Sequence, residues 1–257
     1  MTTTDSTPAS GRAPMDPLRR TAFIAGVMYL ITFAGSIPAR FYFLDPVLND
    51  PGYIVGSGAD TRVLVGGLLD IVTALAGIAS AVVLFRVVKR HNETLALGLV
   101  TSRLLEAAIM AVGVVSLFAV VTLRQDLSGV AGAEEAALTT VGAALVAAYE
   151  WTFLLGPGVM AVVNALLLGT LMYRSGLVPR VIPLMGLIGA PLLLTSNVAT
   201  MLGVNDATTV WSLVGVAPIF FWELSLGIWL TVMGFRPSHI TAGMTASVDR
   251  DAEPSRM

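Results

Sequence analysis

Apolar residues run along this chain in six long stretches separated by short polar segments. Each stretch comes close to the roughly 20 residues that an α-helix needs to cross a bilayer. The first, TAFIAGVMYLITFAGSIPA at 21–39, closes on Pro38 and Arg40, and Phe41, Tyr42 and Phe43 follow as an interfacial aromatic belt. Up to Thr61 the turn formers Asp45-Pro46, Asp50-Pro51-Gly52 and Gly56-Ser57-Gly58 predict an ordered but non-helical loop. Asp60 or Thr61 is placed to cap the next helix. The second span, 62–85, carries Asp70 inside VLVGGLLDIVTALAGIASAVVLF, and Asp70, Thr73, Ala74, Gly77 and Ala81 form a small and polar stripe. There the Gly77-x-x-x-Ala81 spacing allows a neighbouring helix to come close.

The third span, 95–122, contains TSRLLEAAIM, with Arg103 and Glu106 three residues apart on one helix face. After a short polar segment comes an alanine-rich run, 133–148, that leads directly into 149–173. One crossing does not need forty residues, so the pattern predicts an interface-lying helix followed by span four, with the boundary at Glu150-Trp151. A single over-long, tilted helix is the alternative. Gly156-Pro157-Gly158 should bend this span, and Glu150, Pro157 and Asn164 share a face. Span five, 181–202, holds Pro183, Pro191 and Asn197; span six, 210–235, holds Pro218, Trp222, Glu223 and Trp229. The fold class is therefore all-α, a polytopic bundle over 21–235 flanked by polar tails, 1–20 and 236–257, that read as disordered.

Composition supports a lipid solvent. Hydrophobic residues make up 55% of the 257 and charged residues 12%, against about 25% charged in soluble domains. The net charge of −2 gives no footing for a nucleic-acid partner. More telling is where the basic residues fall. Arg12, Arg19, Arg20, Arg86, Lys89, Arg90, Arg174, Arg180 and Arg236 collect at one set of span ends, and only Arg40, Arg62 and Arg124 at the other. The positive-inside rule makes the first set cytoplasmic, with both termini on the cytoplasmic side. Arg19-Arg20 has the form of a twin-arginine export signal, but the Phe-Leu spacing that should follow is not met. Holding the first span's N-terminus in the cytoplasm accounts for those charges.

Several chemistries are excluded. Cysteine is absent, which removes disulfides, thiolate metal sites and S-acylation. His91 and His239 lie at helix ends or beyond, so haem ligation and a histidine-held zinc have no intramembrane ligands. The single lysine, Lys89, is in a loop, which leaves no residue for a retinal Schiff base and no base for a serine protease. An aspartyl-protease pair would need two embedded aspartates, and only Asp70 is embedded. No cofactor and no metal is expected.

What remains are the embedded charges. At about 1.5 Å rise per residue, Asp70, Glu106 and Glu223 reach one depth, about 17–18 Å from the cytoplasmic side, with Arg103 a turn below. Each would cost about 2.5–3.5 kcal/mol on insertion scales if left facing lipid. The three acids are therefore expected to turn inward around Arg103. One arginine neutralises one carboxylate, so the others must share hydrogen bonds or carry protons. Asp70, Arg103, Glu106 and Glu223 form the candidate ligand- or proton-binding site, with Glu150, Asn164 and Asn197 as secondary polar candidates.

MYLITFAGSIPA, YIVGSGADTRVLVGGLLD, AVVLFRVVKRHNETLALG and the RLLEA of 103–107 together resemble the bacterial domain-of-unknown-function 4386 family (DUF4386) of integral membrane proteins. The resemblance runs from the first span to the sixth and omits the tails. It implies a six-helix inner-membrane protein and carries no catalytic signature. Three functional hypotheses follow. The first is binding or movement of a small molecule or proton through the charged site. In the second the protein is a structural or regulatory partner of another membrane protein or of its own copies, and the charges are a packing ion pair. The third is a lipid- or isoprenoid-modifying enzyme using the acids as proton donors.

Overall fold

The computed structural model describes residues 15–56, 58–127, 135–205, 209–238 and 240–242. Helix α1, Pro17–Pro38, begins on a proline, whose missing N–H is no loss in a first turn. It continues through a π-helical turn, Ala39–Phe43, to a short helix α2, Asp45–Asn49. Next come α3, Asp60–Val88, and α4, Glu93–Leu127. Helix α5, Glu135–Phe153, passes through a second π-helical stretch, Leu154–Met160, into α6, Ala161–Ser175. Helices α7, Val181–Met201, and α8, Val210–Val232, complete the chain. Six helical runs are long and apolar enough to cross a membrane: Pro17–Phe43, Asp60–Val88, Glu93–Leu127, Glu135–Ser175, Val181–Met201 and Val210–Val232. No strand occurs among the described residues.

Three segments are seen in more detail than the sequence pattern gives. The segment after span one is not simply non-helical, since it holds the π turn and α2, closed by a main-chain bond from Leu44 N–H to Ala39 O. The chain does not break at Glu150-Trp151: helix runs without interruption over the 41 residues Glu135–Ser175. Proline inside an α-helix lacks a donor and crowds the carbonyl four residues back. Here Pro157 sits in the wider π turns, which relieve that clash without ending the helix. Finally, the chain beyond span six stays attached to the bundle at first. Arg236 N–H donates to Leu177 O at 2.8 Å, and Ile240 is buried. Most of both expected tails, 1–14 and 243–257, lies outside the described residues.

The interior divides into three levels. At the end carrying the termini, Leu84, Leu99, Leu168, Leu171, Trp222 and Leu226 belong to one buried apolar core. Gly186 admits the Trp222 ring, because a Cβ there would stand 2.5 Å from it. At the opposite, loop end, Leu44, Val47, Ile54, Val63, Leu117 and Val120 belong to a second core. The embedded polar side chains lie between the two. Each core lends this middle level a tyrosine, Tyr29 from the first and Tyr149 from the second.

Candidate functional site

Arg103 is the hub of the middle level. It leaves α4 facing Gly77 of α3, where a Cβ would already be in van der Waals contact with its Cδ at 3.8 Å. The Gly77 gap that the spacing assigned to helix approach is thus filled by a guanidinium arm. Its Nη1 donates to Glu106 Oε2 at 3.0 Å, one helical turn along the same face. Its Nη2 donates to Glu223 Oε1 on α8 at 2.8 Å and, more loosely, to the Tyr29 hydroxyl on α1 at 3.3 Å. Arg103 therefore ties α4 to α8 and α1. Asn164 on α6 donates its Nδ2 to the same Glu106 oxygen at 2.7 Å. Arg103 and Glu106 are buried, whereas the Glu223 side chain keeps 17% of its surface exposed.

Asp70 shares this level but not this network. Its Oδ2 accepts from the Tyr149 hydroxyl of α5 at 2.9 Å. Gly113 of α4 leaves room for α5 here, since a Cβ there would run into Thr152 and stand 3.1 Å from the Tyr149 ring. Asp70 still faces Arg103 across a cavity of about 170 Å³ that Asp70, Arg103, Glu106 and Glu223 all line. Glu150 pairs with Arg40 at 2.9 Å, and the Arg40 guanidinium lies over the Phe153 ring at 4.6 Å. Arg40 and Glu150 stand on the wall of a larger cavity of about 520 Å³. Asn197 lines that cavity too, buried to 7% exposure, with its Nδ2 unpartnered. The two cavities share Phe33, Phe153, Pro157, Ala161 and Glu223 as walls.

The arrangement has more acid than base. Asp70, Glu106 and Glu223 stand against Arg103, while Arg40 is matched by Glu150. Arg103 Nε, Asn164 Oδ1 and Thr73 Oγ1 are buried without a hydrogen-bond partner. No group of three or more metal-ligating His, Cys, Asp or Glu side chains gathers among the described residues. The middle level can thus hold a proton or a polar group in a small void, and the geometry offers no nucleophile-base pair.

The profile of the family described as Domain of unknown function (DUF4386) matches residues 24–234. That takes in most of the first span and the whole of the other five. The chain belongs to the DUF4386 family. Comparison with curated proteins and with solved structures gives no match. For this DUF4386 chain the sequence reading missed three residues that the middle level uses. Tyr29 and Tyr149 count as apolar in a hydropathy pattern, and Arg40 reads as the end of a span. For Tyr29, well inside the first span, a hydroxyl that needs a partner is the available signal; Tyr149, at the expected edge of span four, gives none.

Proposed function

We propose that this protein binds or moves a proton or a small molecule through the middle level of its bundle, at Asp70, Arg103, Glu106 and Glu223. The observation that carries the reading is the cavity of about 170 Å³ lined by all four. An ion pair that served only to lock helices would leave no void among its members. It would also need no excess of carboxylate, because every uncompensated charge in hydrocarbon is costly. Glu223 stands where the small and large cavities meet, so a proton or solute reaching the larger one would find the cluster through it.

Orientation follows the distribution of basic residues, with the termini end cytoplasmic and the loop end outside in a bacterial cell membrane. The chain is read as a binding or transport protein. The test is a flux assay in proteoliposomes carrying an internal pH dye, with a proton gradient imposed across the membrane. Protein-dependent proton or solute flux that falls at least about tenfold in Glu106→Gln supports the reading, a change equivalent to about 1.4 kcal/mol in the relevant barrier. Equal flux in wild type, Glu106→Gln and empty liposomes, with no saturable ligand binding either, overturns it. The cluster would then be a packing ion pair in a scaffold for another membrane protein.

A further inference from the structure

The larger cavity arises from how the helices are arranged. Helix α5 packs on α4, and α8 packs on α7 and α1, which leaves a gap between α5 and α8. That gap, about 520 Å³, is the size of one drug-like molecule. Its walls carry four aromatic side chains, Phe33, Trp151, Phe153 and Phe220. Phe33 and Phe220 meet edge to face with ring centroids 5.2 Å apart. Aromatic faces attract cations, most strongly where water is excluded.

Charge decides among the apolar occupants that would fit. Glu223 lies on the cavity wall, and only its Oε1 accepts from Arg103, so one carboxylate oxygen remains for a ligand. Behind it the middle level carries Asp70 and Glu106 against the single Arg103. An anion would meet this excess directly, and Arg40 on the same wall, although its Nη1 has no partner, is matched in charge by Glu150 at 2.9 Å. A neutral hydrocarbon chain would fill the space and leave the excess uncompensated. A second polar contact is available from Asn197, 7% exposed and with its amide nitrogen unpartnered, on the same wall. We infer that the cavity between α5 and α8 binds an amphipathic organic cation, whose positive centre rests against Glu223 while its apolar body packs among Phe33, Trp151, Phe153 and Phe220. This rests on reading the middle level as a ligand-facing site, and it names the ligand class.

Tetraphenylphosphonium and tetraphenylborate have the same shape and opposite charge, which isolates the electrostatic part of the argument. Full-length protein in lipid nanodiscs is titrated with radiolabelled tetraphenylphosphonium by scintillation proximity, with empty nanodiscs subtracted. The expected result is saturable binding, against which tetraphenylborate competes at least about tenfold more weakly than unlabelled tetraphenylphosphonium. Glu223→Gln should weaken binding at least about tenfold. Phe220→Leu, which keeps the bulk and removes the ring, should weaken it about threefold, and it decides the matter if Glu223→Gln does not purify as a monodisperse protein. Absence of saturable binding, equal competition by tetraphenylborate, or wild-type affinity in a folded Glu223→Gln or in Phe220→Leu overturns the inference. The proton-flux assay is separate: flux that depends on Glu106 without phosphonium binding removes the cation site alone. Phosphonium binding without such flux keeps the cation site and removes transport.

Discussion

Two arginines in this bundle meet carboxylates in contrasting ways. At the loop end Arg124 grips Asp60 with two parallel bonds, Nε to Oδ1 at 2.7 Å and Nη2 to Oδ2 at 2.6 Å. It also donates to the Gly56 and Gly58 carbonyls at 2.8 and 3.2 Å. Asp60 accepts further from Tyr53 and Gln125, both at 2.9 Å. Burial first, and then the bonded Asp60 carboxylate, push the Tyr53 phenol above its ordinary range, so it stays a donor into alkaline pH. Acid and base are matched one to one, and all three guanidinium nitrogens donate. Arg103, by contrast, spreads over two acids and a tyrosine, keeps an unpartnered Nε and borders a void. The saturated pair fastens α4 to the start of α3 and to the Gly56 and Gly58 carbonyls just before it. The unsaturated one, with a surplus of acid around it, retains capacity for something that arrives.

The contrast can be broken most strongly at its buried member. Arg103→Met leaves Glu106 and Glu223 facing each other without a counter-charge. Removing one partner of a buried ion pair costs about 3–5 kcal/mol. Unfolding by dodecyl sulfate titration from a fixed detergent should register that loss. A stability within about 1 kcal/mol of wild type would mean that the two acids do not rely on Arg103. Adding Glu223→Gln to Arg103→Met should recover part of the loss, since it removes one stranded charge. A smaller effect is expected at Asp70, whose bonded partner is a neutral hydroxyl. Tyr149→Phe deletes that donor and should cost about 1–3 kcal/mol in the same titration. Gly113→Leu should also destabilise, by pushing on Thr152 and, behind it, the Tyr149 ring.

How far this organisation can be read from residues alone depends on the level of description. Six spans follow from apolar run length, and the DUF4386 match takes in most of the first and the whole of the other five. Depth along a helix also follows, because the rise per residue is fixed. Azimuth does not. Asp70, Glu106 and Glu223 share one level, yet Asp70 turns to Tyr149 of α5 while the others turn to Arg103, and no spacing within α3 distinguishes those outcomes. Likewise, Gly77 in a small-residue stripe looks like a packing device until the Arg103 side chain is seen lying against it. Pro157 predicts a disturbance in span four, but whether the helix kinks, ends or widens depends on its neighbours; here it widens into π turns.

The smallest expected effect tests the saturated side of the comparison. Arg124→Lys keeps the charge and gives up the planar fork that binds both Asp60 oxygens together with two backbone carbonyls. A lysine ammonium can hold one of these positions well and cannot span all of them, so the cost should be about 1 kcal/mol, roughly the net value of one hydrogen bond. At this end of the bundle both partner side chains retain some solvent contact, 14% and 16% exposed. Salt should therefore weaken the clasp, because mobile ions screen partly exposed charges and reach buried ones poorly. Raising ionic strength should narrow the gap between wild type and Arg124→Lys while leaving the Arg103→Met loss unchanged. Equal salt sensitivity at the two arginines would mean that water and ions reach Arg103 as freely as Arg124, and the distinction between a closed clasp and a buried, unsaturated site would not hold.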